Sequence, residues 1–195
     1  MRRKSFDIIV SAAGMVVAVV LLAASGLLFW THSFIDDNVR TQLSAQKIFI
    51  PQLSTGALDD PAIKPYLSKY AGQQLTTGDQ AKAYADHFIS VHLTASGGGL
   101  TYSELSAKSR ATPTDVTLQQ QVQTSFRGET LRGLLLNAYA FGTMAKIAFI
   151  AAWVALATGL SVLALGVLGL WHSRRTSYDV KVHVPGWHPE KLPAS

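Results

Sequence analysis

Two long uncharged runs are the feature that most constrains this chain. Residues 8–30 form 23 consecutive positions without a charge, and residues 147–171 form a second run of 25. Because a helix rises about 1.5 Å per residue, either run is long enough to cross a hydrocarbon core of about 30 Å. Membrane strands are only about 9–11 residues long and alternate in polarity, whereas these runs are apolar on every face. The sequence therefore predicts two transmembrane helices.

The overall composition agrees with a membrane protein. Of 195 residues, 48% are hydrophobic and only 15% are charged, whereas a soluble domain carries about 25% charged residues. The apolar content excludes a disordered chain, and the absence of cysteine excludes a disulfide scaffold.

The first apolar run has one alternative interpretation, a cleaved signal peptide. Arg2, Arg3 and Lys4 provide a basic start, and residues 23–26 are small. The apolar core of a signal peptide is only about 7–15 residues long, however, and here residues 27–30 continue past the cleavage point. The sequence favours an uncleaved anchor.

The distribution of basic residues predicts the orientation. Three Lys and Arg residues precede the first run and four follow the second, and short basic segments remain in the cytoplasm. The segments are therefore a cytoplasmic N-terminus at 1–7, spans at 8–30 and 147–171, an extracytoplasmic domain at 31–146 and a cytoplasmic tail at 172–195. Residues placed at the membrane interface are Trp30, Lys146, Trp171, Arg174 and Arg175.

The net charge of +5 follows from this topology. The segment 31–146 holds ten basic and nine acidic residues without a basic stripe, so nucleic acid is not an expected partner. Neither span contains an ionisable residue, which argues against ion or proton transport by this chain alone.

The segment 31–146 is predicted to be helical. Apolar residues recur at helical spacing after Trp30 until Pro51, which predicts an amphipathic extension of the first helix. Residues 134–145 are predicted to form a helix above the membrane that packs on this extension, with Lys146 snorkelling at the boundary.

Short helices are predicted between these two extensions. Asp59, Asp60 and Pro61 are start signals for one helix. Thr77 with Gln80 and Thr101 with Glu104 form possible capping boxes, the first for a helix that continues to about Leu93. The polar face of that helix carries Asp79, Lys82, Asp86 and Ser90, and Lys82 with Asp86 is predicted to form an ion pair one helical turn apart. Thr112, Pro113 and Asp115 are start signals for a longer helix. The predicted fold is an all-α membrane protein, with a transmembrane hairpin and a helical extracytoplasmic cap on the helix extensions.

Several stretches resemble a known family. Residues 46–51 (QKIFIP), 69–93 (KYAGQQLTTGDQAKAYADHFISVHL) and 126–148 (FRGETLRGLLLNAYAFGTMAKIA) are similar to small two-span membrane proteins of actinobacteria, which often bear the name aromatic ring-opening dioxygenase. The resemblance covers roughly residues 45–148. It implies the same topology in a bacterial plasma membrane, and it assigns no functional residue.

The dioxygenase name was tested against the chemistry of an iron site. A facial-triad site needs two His and a carboxylate on one metal ion. His87 and His92 are separated by about 140° around a straight helix, so they would not chelate one ion from it. His32, Glu104 and Glu129 supply no recognisable ligand spacing. We therefore predict no catalytic, metal or cofactor residues, and expect the Gly97–Gly99 stretch to be a flexible connector.

Small residues within and beside the spans are candidate helix-packing positions. They occur four residues apart, a spacing that lets helices approach closely. Two alternatives remain open: packing of the two spans on each other, or docking to another membrane protein or a second copy. The positions are Gly14, Ala18, Ala148, Ala152, Ala155 and Gly159.

The sequence is compatible with three functions. The first is a non-catalytic accessory or scaffold subunit of a larger membrane complex, whose partners are the lipid bilayer and another membrane protein or a second copy. The alternative is an extracytoplasmic ligand or lipid sensor, which requires a concave pocket under the helix that carries Tyr84 and Phe88. A metal-dependent enzyme ranks last. The Pro-rich segment 180–195 is expected to be extended.

Overall fold

A computed structural model describes residues 3–175, and the predicted extended tail at 180–195 lies outside this range. The described chain is helical, with no strand and one isolated β-bridge between Phe49 and Gln74. The helices are α1 (Arg3–Ala45), α2 (Lys64–Leu67), α3 (Gly78–Ala83), α4 (Ser90–Ser96), α5 (Tyr102–Ala111) and α6 (Val116–Arg175), with single-turn 3₁₀ segments at Leu53–Thr55 and Ser68–Tyr70 and a π-helical segment at Tyr84–Ile89.

Helices α1 and α6 are long and apolar enough to cross a membrane. The chain forms two compact units. The central unit is Phe29–Phe149, and the terminal unit comprises the described residues before and after it.

In the terminal unit, α1 packs against α6 through small residues. The Ser25 hydroxyl donates to the Ala152 carbonyl at 2.9 Å, and a Cβ added at Gly159 would lie 3.2 Å from Leu21 and Leu22. Ser25 contacts Ala152, whereas Leu21 and Leu22, which come earlier in α1, lie beside Gly159, which comes later in α6. The two helices are therefore antiparallel. The buried small residues recur every seven positions, a spacing that keeps them on one face of closely aligned helices: Ser11, Ala18 and Ser25 on α1, and Ala152, Gly159 and Gly166 on α6.

The core of the central unit is built where α1 and α6 meet the short helices. Val39 and Leu43 of α1 and Leu135 of α6 are buried in one hydrophobic cluster. The largest fully buried side chains of this cluster come from α2 and the segments that connect the helices: Ile50, Leu58, Ile63, Leu67 and Leu75. The predicted packing of residues 134–145 on the extension of α1 is therefore present.

The segment after α1 is held by backbone pairing. The Ile50 amide donates to the Gln73 carbonyl at 2.9 Å, and the Leu75 amide donates to the Ile48 carbonyl at 2.9 Å. Helix α1 ends at Ala45, earlier than the predicted stop at Pro51, because Lys47 adopts a left-handed conformation with φ of 52°.

The capping boxes at Thr77 and Thr101 are both formed, each with the reciprocal side-chain bond to the residue three positions later. Asp115 accepts from the Leu118 amide at 3.0 Å and caps α6 as predicted.

Two further predictions about the helices were wrong. The residues Asp59–Pro61 do not begin a helix, because the Asp60 carboxylate accepts from the Ala62 amide at 2.7 Å and holds a turn, and α2 begins only at Lys64. The helix that begins after Thr77 is not a straight α-helix, because it widens into the π-helical segment. Residues 134–145 are helical as predicted and form part of α6, which is continuous from Val116 to Arg175.

Candidate functional site

Two glycines allow α3 to dock closely on α6. A Cβ added at Gly78 would lie 3.0 Å from the Tyr139 Cα and 3.1 Å from the Ala138 carbonyl oxygen, and one added at Gly142 would lie 3.4 Å from the Gly78 Cα. This approach places the polar face of α3 beside Tyr139. It therefore positions the side chains of Asp79 and Lys82 next to α6.

A groove of about 420 Å³, lined by both charged and aromatic side chains, opens on this face. The Tyr66 and His87 rings stack in parallel with their centroids 3.4 Å apart, and the Lys82 ammonium lies 5.2 Å from the Tyr139 ring centroid. We call this the tyrosine groove. Its polar and aromatic lining includes Tyr66, Lys69, Asp79, Lys82, His87 and Tyr139.

An ion-pair network ties the wall of the tyrosine groove to α6. Asp86 contacts both Lys82 and Arg132, the latter at 3.4 Å, and Arg132 also contacts Glu129 at 3.4 Å. The hydrogen bond from Lys82 lowers the pKa of Asp86, and the same bond raises the pKa of Lys82. Both groups are therefore charged at neutral pH, and the sequence-predicted Lys82–Asp86 pair is present.

Lys146 was predicted to snorkel at the membrane boundary. Its ammonium contacts the Asp79 carboxylate at 2.6 Å, across 67 sequence positions. Both side chains of the pair are more than half exposed, so the ion pair contributes little to the stability of the fold. Its consequence is positional, because it links the wall of the tyrosine groove to the residue directly before the second apolar run.

A second, apolar groove of about 290 Å³ lies between α1 and α6. Phe34 and Leu134, which are 56% and 64% exposed, line it. We call this the apolar groove. Its other lining residues are apolar except for three amide side chains: Ile35, Asn38, Val39, Gln42, Asn137, Ala138 and Phe141.

The histidines have unrelated surroundings. His32 faces the Ala145 carbonyl at 2.9 Å, His92 faces the Phe88 carbonyl at 2.7 Å, and His87 stacks on Tyr66. Within residues 3–175, no three His, Asp or Glu side chains are grouped so as to hold a metal ion.

The pocket required by the sensor hypothesis was expected under the helix that carries Tyr84 and Phe88. Ala81, Ala85 and Ile89 on the inner face of that helix are buried in the core cluster, and Tyr84 and Phe88 pack against it. Burial raises the pKa of the Tyr84 hydroxyl. The tyrosine and apolar grooves are open at the surface and are lined by neither Tyr84 nor Phe88.

The predicted helix-packing residues are distributed unevenly. Ala18, Ala148, Ala152 and Gly159 are buried, whereas Gly14 and Ala155 are only half-buried. The seven-residue spacing of the buried small residues was visible in the sequence, but the prediction used pairs four residues apart. Docking of these residues to another protein stays a prediction.

The predicted interface residues also stay predictions. Trp30 is 62% exposed and stacks on Phe34, with ring centroids 5.5 Å apart. The Arg175 guanidinium lies 4.0 Å from the Trp171 ring centroid, and Arg174 is exposed.

Sequence reasoning missed most of the tyrosine groove. Tyr66 and Lys69 come from the α2 region, where no pattern marked them, and Tyr139 lies in the segment 134–145, for which only packing on the extension of the first helix was predicted. Asp79 and Lys82 share the polar face of one helix, which was the single local signal.

Comparisons with protein-family models, with curated proteins and with solved structures find no match to this chain.

Proposed function

We propose that this chain is a non-catalytic membrane protein that associates with a larger membrane complex through its apolar groove. In this proposal, α1 and α6 cross a bacterial plasma membrane as a hairpin, with both termini in the cytoplasm and residues 31–146 outside. The partner is another membrane protein whose external part presents an apolar surface.

The observation that supports this proposal is the 64% exposure of Leu134, which lies on α6 well before the second apolar run. Leu134 lies 13 positions before residue 147, which is about 20 Å along a helix. The headgroup layer adds only about 5–7 Å beyond the hydrocarbon core on each side. Lipid therefore covers the exposed apolar residues of the spans, but it does not reach Leu134 at the far end of the groove.

The lining favours a protein partner. Exposed apolar surface outside the membrane is typical of interaction sites, particularly where polar groups border it. Here the amides of Asn38, Gln42 and Asn137 accompany the apolar side chains, and amides can hydrogen-bond a partner backbone. The sensor alternative has less support, because the helix under which its pocket was expected packs on a filled core. A metal-dependent enzyme ranks last.

Photocrosslinking in native membranes tests the proposal. A benzophenone amino acid is placed at position 134, and the matched control carries it at position 103, an exposed site on α5. We expect one discrete adduct with another membrane protein from position 134 and none from position 103.

A substitution provides the second readout. Leu134→Gln removes apolar area whose burial contributes about 1.5–3 kcal/mol, so the partner is expected to be lost on purification in mild detergent, whereas Ser103→Gln retains it. Lipid adducts alone at position 134 would contradict the proposal. A self-crosslink would replace the partner with a second copy.

A further inference from the structure

We infer that the tyrosine groove binds an anionic polyol phosphodiester, the chemistry of a glycerol-type phospholipid headgroup. This inference uses a different surface from the docking proposal, but it rests on the proposed membrane topology, in which Lys146 lies at the membrane surface.

The cations of the groove point to an anionic ligand. Lys69 is exposed and has no ion-pair partner among the described residues. The Lys82 ammonium and the Lys69 ammonium already lie over tyrosine rings, at 5.2 Å from Tyr139 and 4.7 Å from Tyr70. These ring faces are therefore not free for a cationic ligand, whereas both ammonium groups retain donors for phosphate oxygens.

The acceptor of the groove points to hydroxyl groups on the same ligand. Asp79 uses Oδ2 for Lys146 and makes no other described hydrogen bond. A carboxylate repels a bare phosphate but accepts from an alcohol. Two ammonium groups and one carboxylate around a single groove therefore match a ligand that carries a phosphodiester and free hydroxyls, and Tyr66, 47% exposed, provides a ring against the polyol carbons.

The helix that forms the groove wall is locally unusual. Tyr84–Ile89 is π-helical, a conformation that is rare and frequent at functional sites. It carries His87, whose ring stacks on Tyr66, and Asp86, which holds Lys82. The π-helical segment therefore provides the His87 ring on which Tyr66 stacks, and the Asp86 carboxylate that holds the Lys82 ammonium beside the groove.

The position of the groove fits a headgroup at the predicted membrane surface. Tyr139 lies seven positions before Lys146, about 10 Å along α6, and Asp79 contacts Lys146 directly. Lys146 immediately precedes the second apolar run. The Asp79 side of the groove is therefore within reach of a headgroup at the predicted membrane surface, whereas Tyr139 lies beyond the headgroup layer of about 5–7 Å.

Lipid binding to the full chain in a neutral detergent tests this inference by native mass spectrometry. The probes are phosphatidylglycerol, phosphatidylcholine and phosphatidic acid with identical acyl chains. We expect wild-type protein to prefer phosphatidylglycerol over both, and Lys69→Gln to weaken phosphatidylglycerol binding by roughly tenfold, the effect of one charge-assisted hydrogen bond.

Two further variants make the result specific. Lys108→Gln removes the same charge from an exposed position on α5 that does not line the groove, and it should leave lipid binding unchanged. Asp79→Ala should abolish the preference for phosphatidylglycerol over phosphatidic acid, because the acceptor for the hydroxyls is lost. The unfolding temperature of each variant shows whether the fold is retained.

The source of the phosphodiester is decided by competition with soluble glycerophosphoglycerol. If glycerophosphoglycerol displaces phosphatidylglycerol at concentrations similar to those of the lipid, the groove recognises the phosphodiester and its natural ligand is a soluble molecule. If glycerophosphoglycerol competes only weakly, the natural ligand is the lipid. Equal binding of phosphatidylglycerol and phosphatidylcholine by wild type would overturn the inference. An equal loss in Lys69→Gln and Lys108→Gln would also overturn it, because the effect would then be one of net charge.

Discussion

The close approach of α3 to α6 gives a sharp test of the central unit. We expect Gly78→Ala to destabilise the protein, although alanine is the better helix former. Optimal contacts between carbon atoms are about 3.5–4.0 Å, whereas the added Cβ would lie 3.0 Å from the Tyr139 Cα. The obstacle is backbone, which cannot rotate away, so α3 must retreat from α6 by roughly 0.5 Å.

The magnitude follows from two opposing effects. Overpacking of this kind costs about 1–3 kcal/mol, and a Gly→Ala change returns about 0.4–1 kcal/mol by restricting the unfolded chain. The expected net loss is about 1–2 kcal/mol. Gly133→Ala is the matched control, because Gly133 is also helical and its added Cβ meets nothing within 4 Å. The control should stabilise the protein by up to about 1 kcal/mol.

The assay is thermal unfolding of the full chain in one detergent, followed by tryptophan fluorescence and circular dichroism. The two Gly→Ala changes should shift the unfolding temperature in opposite directions. If Gly78→Ala is neutral or stabilising while Gly133→Ala behaves as expected, the docking of α3 on α6 is not as close as described, and the wall of the tyrosine groove is placed wrongly.

Two further predictions concern a charge and a helix contact. Asp86→Asn should lower the free energy of unfolding at pH 7 by about 1 kcal/mol. Because the folded-state pKa of Asp86 is lowered, the difference in stability between the wild type and the variant should persist down to pH of about 4, near the pKa of an unfolded Asp, and should vanish as the pH falls further. Denaturant titrations at several pH values would measure this difference. Gly159→Leu should disrupt the packing of α1 on α6, because the Cβ alone would lie 3.2 Å from Leu21 and Leu22; Gly26→Leu, at a position with nothing within 4 Å, is the control, and equal unfolding temperatures of the two variants would contradict the expectation.

The features that the sequence predicted are those decided locally. The capping boxes at Thr77 and Thr101 need only residues three positions apart, and the length of each apolar run decides whether it can cross a membrane. The Lys82–Asp86 pair needs only one helical turn. None of these features depends on where the rest of the chain lies.

The features that were missed depend on contacts distant in sequence. Lys146 meets Asp79 across 67 positions, and Asp86 meets Arg132 across 46. The stacking of Tyr66 on His87 requires α2 to lie beside the π-helical segment. No local pattern encodes these neighbours, and the assumption of a regular α-helix concealed where His87 is directed.

The π-helical segment couples chain length to orientation. A π turn accommodates one residue more than the α-helix around it, so removing a single residue between 84 and 89 would return the helix to regular geometry. The shortened helix would still reach α4, but each side chain of the deleted turn would be rotated by about 100° relative to its present direction. A one-residue gap here would therefore separate the Tyr66 and His87 rings and would also turn the buried Ala85 and Ile89 side chains away from the core.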